Sequence, residues 1–242
     1  MWTPPALGWR YLRHAGARGA HEAFESVVQR AAMANSLTRV SSGQKLVLAT
    51  NNPHKAGEIR AILGDLPITI LTAADFATFP DPEENGSTLE ENARLKALAV
   101  FAATGLWSLA DDSGLEVEAL NGAPGVHSAR FAGPECTFAD NNAKLLRLMA
   151  DVPDERRLAR FRCVAALAFD GRDVELFQDE VNGVITREPC GSGGFGYDPV
   201  FYVPALGCTF AEAGNDDKNR LSHRGKAFRQ VAERLRERLR VG

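Results

Sequence analysis

Residues 158–188 read LARFRCVAALAF, DGRD, VELFQDEVNGVITRE: two long apolar-rich runs, Leu158 to Phe169 and Val174 to Glu188, joined by Asp170-Gly171-Arg172-Asp173. So short a polar connection between two such runs predicts a long antiparallel hairpin. Elsewhere strands and helices interleave, so the chain is α/β, and the hairpin excludes a purely parallel sheet. Working back from it, Lys45 to Thr50 is a short apolar run that reads as a buried strand. Asn51-Asn52-Pro53 stops that run, and Ile59, Ile62 and Leu63 then recur at helical spacing, with Asn52 placed as N-cap and Pro53 at the first helical position. Ile68 to Leu71 reads as the next strand and Phe79 to Gly86 as a loop. Thr88 with Glu91 forms the signature of a capping box for a helix to about Thr104. Trp107 to Ala110 reads as a strand with Asp111 and Asp112 just after it and Glu116 to Leu120 as its partner; a plain turn at the two acids is the competing reading. Thr137 to Ala150 and His223 to Arg240 read as helices, the second burying Phe228, Val231, Leu235 and Leu239 under an Arg/Glu surface.

Lys plus Arg total 28 against 31 Asp plus Glu, a formal charge of -3, which leaves no broad basic surface for nucleic acid. Any anion site is therefore a local cluster. Cys136, Cys163, Cys190 and Cys208 are too widely spaced for a C-x-x-C pair, so reduced thiols and a cytoplasmic setting are the expectation. No run approaches the length of a membrane span. Up to Ala20 the chain carries Arg10, Arg13 and Arg18 and no acid. Residues 1–44 are read as an N-terminal extension, disordered or preceding a true start at Met33, in preference to a targeting leader; residues 45–242 form the main domain.

Three constellations carry chemistry. Thr50, Asn51, Asn52, Pro53, His54 and Lys55 surround a helix N-terminus, whose free N–H groups and dipole favour phosphate; an ordinary capped helix is the plainer reading of the same residues. Glu83, Glu84, Glu91, Asp111 and Asp112 supply hard oxygen ligands suited to magnesium, and a second carboxylate near such a metal takes a proton from water. Gly193-Gly194-Phe195-Gly196-Tyr197-Asp198-Pro199, followed by Lys218 and Ser222-His223-Arg224-Gly225, offers glycines for close approach, rings for stacking, and donors and acceptors for a polar edge. Together these describe a pocket for a flat anionic molecule such as a nucleotide.

The motifs Thr50-x-Asn52-x-x-Lys55, Glu84-Asn85-Gly86-x-Thr88-x-x-Glu91-Asn92-Ala93-x-x-Lys96, Ala110 to Leu115, Ser128-Ala129-Arg130, Gly193 to Pro199 and Ser222 to Gly225 occur in this order. The chain over about 45–240 resembles the inosine triphosphatase (Ham1-like) family of pyrophosphatases for non-standard purine nucleoside triphosphates, with Asn85 standing where that family leads one to expect Thr. The resemblance implies an elongated mixed sheet with flanking helices, two lobes around a central cleft, and a homodimer. It implies hydrolysis of XTP, ITP and dITP to the monophosphate and pyrophosphate. By that resemblance Thr50 through Lys55 hold the triphosphate, Glu84 and Asp112 bind Mg2+, Asp112 also accepts the proton of the attacking water, and Lys96 contacts phosphate near the scissile link. Ser113, Phe195, Gly196, Tyr197, Asp198, Lys218, His223 and Arg224 bind nucleotide, with Phe195 under the base. Donors from His223 or Arg224 would pair with a 6-keto purine and stay unpaired against adenine, a mismatch worth roughly 10⁴-fold. Two rivals are a Maf-like pyrophosphatase for other nucleotides, against which Ser222-His223-Arg224 argues, and a silent nucleotide sensor, which has no need of Asp112.

Overall fold

The computed structural model describes residues 43–241. The expected extension thus lies, up to residue 42, outside the described residues, together with Met33. From there a seven-stranded sheet has the order β2-β1-β3-β4-β5-β6-β7, with β1 (Gln44–Leu48), β2 (Ile68–Leu71), β3 (Trp107–Val117), β4 (Leu158–Ala168), β5 (Val174–Ile185), β6 (Phe201–Val203) and β7 (Cys208–Thr209). β1 runs parallel to β2 and β3, and every later pairing is antiparallel. The sheet is mixed because its first strands are linked by helices, whereas β4 and β5 are joined by the turn at Asp170, whose Oδ1 accepts from the N–H groups of Arg172 and Asp173.

The helices are α1 (Pro53–Leu63), α2 (Leu89–Thr104), α3 (Phe138–Leu148), α4 (Asn215–Leu221) and α5 (His223–Val241). Side chains alternate across a strand, so each face of the sheet acquires its own apolar layer. Leu46, Leu48, Leu109, Cys163, Ala165 and Leu167 pack on one face against Ile59 and Leu63 of α1 and Phe228, Val231 and Leu235 of α5. Val47, Ala49, Ala110, Val164, Ala166 and Ala168 pack on the other against Leu89, Ala93, Ala97 and Val100 of α2. A third cluster joins the later strands to Leu145 and Met149 at α3. Of the residues expected to be buried on α5, Phe228, Val231 and Leu235 are, while Leu239 is half-buried near the end of the helix.

Three local expectations are corrected. Asp111 and Asp112 do not sit in a turn: β3 continues through them to Val117, pairing Asp111 with Ala165 and Asp112 with Val164, and Glu118–Leu120 is a 3-10 turn rather than a partner strand. The strand survives two acids because each is neutralised from its own side, as described below. The capping box at Thr88 is half made: Thr88 Oγ1 accepts from Glu91 N–H, but the Glu91 carboxylate accepts from Ser87 N–H and Oγ–H. The short helix α4 and strands β6 and β7 had no periodic signal. Phe228→Ala removes a fully buried ring between α5 and the sheet, and we expect it to lower the unfolding free energy by about 3–5 kcal/mol. Urea denaturation measures this, and a loss under about 1 kcal/mol would contradict the packing.

Candidate active site

At the end of β1 the chain turns into α1, and Asn52 caps that helix: its Oδ1 accepts from His54 N–H at 2.9 Å and Lys55 N–H at 3.3 Å, while Thr50 Oγ1 accepts from Asn52 N–H at 3.1 Å. Asn51 Nδ2 donates to Asp81 at 3.0 Å, holding the loop of residues 79–86 over this turn. Lys55 extends from the first turn of α1 to Asp111 Oδ2 at 3.0 Å. A helix N-terminus and a lysine thus meet on the wall of a cavity of about 310 Å³, lined there by Thr50, Asn51, Asn52 and Lys55. Pro53 and His54, named with them from the sequence, do not line it.

Because neighbouring residues on β3 point to opposite faces, Asp111 turns toward α1 and α5 and Asp112 toward α2. Asp111 is completely buried and takes Lys55 and the Arg224 guanidinium on Oδ2, with Ser113 Oγ–H at 3.2 Å. Burial alone would raise its pKa, but Lys55, Arg224 and Lys96 together hold it well below the usual carboxylate range. Asp112 accepts from Lys96 Nζ at 3.2 Å and from Asn92 Nδ2 at 3.1 Å. Here burial wins over Lys96 and Lys55, and the carboxyl is pushed above its ordinary value. Two adjacent acids are therefore biased in opposite directions, one locked as an anion and the other readier to accept a proton.

Lys96 Nζ also meets Glu84 Oε1 at 2.9 Å. Burial opposes its charge, yet Asp112, Glu84 and Asp111 more than offset this and raise its pKa. Asn92 Oδ1 accepts from Gly86 N–H at 2.9 Å, and Arg130 donates to the Glu84 carbonyl at 3.2 Å, so the loop bearing Glu84 is fixed at both flanks. One of the five Arg130 N–H groups thus meets a backbone carbonyl. Glu91 is an exposed cap residue and does not line the cavity.

The same cavity is lined by Phe195, Gly196, Tyr197, Asp198, Lys218, His223 and Arg224, close to the helix cap, since His54 stacks on Phe195 at 5.2 Å. Gly194 has φ of 69°, and a Cβ there would run into the Asp198 carboxylate, which accepts from Phe195 N–H at 2.8 Å and Lys218 Nζ at 2.6 Å. Burial pushes the Asp198 carboxyl up against the pull of Lys218. Tyr197 presents no face for stacking: it is buried, with its hydroxyl donating to Ser128 O at 2.9 Å. His223 is buried and stacked on Phe161 at 4.7 Å, and burial with Arg224 and Lys218 nearby lowers its pKa far enough to keep the imidazole neutral.

Glu58, one turn beyond Lys55 on α1, closes the arrangement: it accepts from Lys218 Nζ at 2.8 Å and Arg224 Nη1 at 2.7 Å. Lys55, Asp111, Arg224, Glu58, Lys218 and Asp198 form one continuous ladder of alternating charge from the helix cap to the glycine loop. Arg224 spends four N–H groups on Asp111, Glu58 and Ser113, leaving one of the five a guanidinium carries. The sequence reading, which offered Arg224 as a donor to a ligand, did not foresee this.

The Ham1 family model matches residues 46–234. The chain belongs to the Ham1 family. Curated Ham1 relatives include the dITP/XTP pyrophosphatase of Desulforamulus reducens, 50% identical over 191 residues, covering 79% of this chain and 95% of that one. That of Thermus thermophilus is 51% identical over 195 residues, covering 81% and 93%. Among solved structures, a HAM1 protein from Coxiella burnetii superposes with a TM-score of 0.74 at 43% identity, covering 80% of this chain and 99% of that chain.

Within this Ham1 site, sequence reasoning passed over Glu58 although its i+3 spacing from Lys55 puts the two on one helix face. His223 yields a test of the buried arrangement. Its folded pKa lies well below 6.5, so below about pH 6.5 the unfolded chain binds a proton the native state refuses, and stability is lost as pH falls. Between about pH 7.5 and pH 5, His223→Asn should lose about 1–2 kcal/mol less than the parent in urea unfolding. Parallel pH profiles for the two proteins would show that His223 is not buried neutral.

Proposed function

We propose that this chain hydrolyses the non-standard purine triphosphates XTP, ITP and dITP to the nucleoside monophosphate and pyrophosphate, clearing deaminated purines from the nucleotide pool. One observation carries the reading. A single cavity is lined by a helix cap with Lys55, by Phe195 with Lys218, and by Asp112. Membership of the Ham1 family and relatives bearing the name dITP/XTP pyrophosphatase support it.

In this reading the triphosphate lies along the N-terminus of α1, where Lys55 and backbone N–H groups meet its charge. Asp112 takes a proton from water as the water oxygen bonds to the α-phosphorus and the α–β bridging bond breaks, pyrophosphate leaving with the electron pair. Lys96 sits beside Asp112 and neutralises charge that builds on the phosphoryl oxygens. Asp111 acts differently, staying ionised and keeping Lys55 and Arg224 in place. Ser113 and Ser128 line the cavity, but Ser113 Oγ–H donates to the ionised Asp111 and Ser128 Oγ–H to the Gly125 carbonyl, so direct attack by water is preferred to a serine nucleophile.

Glu84 and Asp112 fit a magnesium ion, since these two oxygen donors already gather about one cation, Lys96 Nζ, and both line the cavity. When bound, magnesium would neutralise polyphosphate charge and acidify a coordinated water. At the base end, the N–H groups left on Lys218 and Arg224 suit the 6-keto oxygen of hypoxanthine or xanthine, and adenine presents an amino group there. The homodimer and the cytoplasmic setting belong to the same reading. All four cysteines are free thiols, and no described helix is long and apolar enough to cross a membrane.

Magnesium-dependent pyrophosphate release from ITP, XTP, ATP, GTP and dUTP tests the proposal, with ITP and XTP expected to turn over fastest. Equal turnover of ATP and ITP would refute the purine assignment, and no turnover of any would leave a sensor. Asp112→Asn should lower kcat by about 10²- to 10⁴-fold while ITP binding persists by calorimetry. Phe195→Ala should raise the ITP dissociation constant more than it slows bound substrate. Retention of full activity by Asp112→Asn would move the base role elsewhere.

A further inference from the structure

Asn141, near the start of α3, is an amide only 2% exposed, in a place where a helix packed on a core would ordinarily carry an apolar residue. Thr137 and Asp140 cap the helix reciprocally and fix that first turn, and Leu145 seats it in the core. Both ends of the Asn141 amide are engaged. Oδ1 accepts from Ala132 N–H at 2.7 Å and from Cys136 Sγ–H at 3.2 Å, and Nδ2 donates to Ala129 O at 3.2 Å. Ala129 and Ala132 flank Arg130 on either side. They belong to the 3-10 turn Gly125–Arg130 and its continuation, whose Val126, Ser128 and Ala129 line the cavity. The earlier part of the turn is pinned independently: Ser128 Oγ joins Leu115 N–H to Gly125 O, and the Tyr197 hydroxyl donates to Ser128 O.

From the end of that turn Arg130 Nη2 donates to the Glu84 carbonyl at 3.2 Å. Among the described residues this is the one hydrogen bond between the turn and the loop of residues 79–86. Arg130 is exposed and has no carboxylate partner among the described residues, so its aim is set by the backbone that carries it. Glu84 lies in a loop without regular structure, yet its carboxylate has to stay beside Lys96, which also serves Asp112. We propose that Asn141 is a positioning residue for the reaction: by holding residues 129 and 132 it aims Arg130 at the Glu84 main chain, and so keeps the Glu84 carboxylate at the site. The proposal rests on the reading of Glu84 as part of the reacting centre. Asn142 provides the comparison, because its Nδ2 donates to Gly196 O at 3.0 Å on the glycine loop instead. Successive residues of a helix point about 100° apart, so the two amides address different walls of the cavity.

The test is a double-mutant cycle on Asn141 and Arg130, read by amide hydrogen exchange of residues 83–86 and by steady-state turnover of ITP in magnesium. Arg130→Ala and Asn141→Ala are each expected to speed exchange at residues 83–86 about three- to tenfold, and the double variant no further than either single. Each single variant should lower kcat/KM for ITP by about the same factor, again with no further loss in the double. Asn142→Ala should leave exchange at residues 83–86 as in the parent and speed it at residues 193–198. Should Asn141→Ala not fold, Asn141→Asp takes its place in the cycle, since it keeps the acceptor for Ala132 N–H and loses the donor to Ala129. Parent-like exchange at residues 83–86 in the Asn141 variant overturns the proposal, as do additive losses in the double variant. Faster exchange there in Asn142→Ala would overturn it too, by assigning the effect to the packing of α3 as a whole. If the parent releases no pyrophosphate from ITP, the functional reading fails, while the exchange cycle still decides whether Asn141 acts on Glu84.

Discussion

Two adjacent carboxylates on a strand cannot share one environment, because a strand sends successive side chains to opposite faces. This alternation governs the site. Asp111 is delivered to the layer containing α1 and α5, Asp112 to the layer containing α2, and the backbone between them stays rigid in the sheet. Like charges side by side would repel at low dielectric. Here each has its own cations within 3.3 Å, on opposite sides of the sheet. The helices that flank the sheet are thus more than apolar cover. α1 and α5 bring Lys55 and Arg224 to one acid; α2 brings Lys96 and Asn92 to the other.

Burying so many charges is costly unless each is paired. The structure meets that condition by chaining them. Glu58 carries a lowered pKa despite burial, because Arg224 and Lys218 both face it. His223 joins no ion pair and stays neutral, stacked on Phe161. Gly225 permits the sharp entry from α4 into α5, since a Cβ there would collide with the Asn219 carbonyl, and that junction brings Lys218 and Arg224 to the same glutamate.

Features governed by neighbours in sequence were legible beforehand. The Asn52-Pro53 cap, the α2 span and the β4–β5 hairpin all follow from a few adjacent residues. The continuity of β3 was not, since Asp111-Asp112-Ser113-Gly114 reads as a turn until distant Lys55, Lys96 and Arg224 are present to neutralise it. α4, with seven residues and no apolar period, is shaped by its contacts with α5 and by Lys218 reaching Asp198 and Glu58. Within the site, residue types and order pointed to a nucleotide, and the family resemblance distributed the roles. Glu58 was named by neither route, although it lies one turn beyond Lys55 on α1.

The charge ladder has a thermodynamic corollary. Lys55 and Arg224 draw on the same Asp111 carboxylate oxygen, so whatever pulls on one cation perturbs the pairing of the other. By linkage such an influence is reciprocal: binding through one cation alters affinity through the other by the same factor. Recognition through either cation is therefore not a modular property of one loop. Replacing Arg224 alone would also disturb Lys55, and a successful exchange would have to rebalance Glu58, Asp111 and Lys55 together.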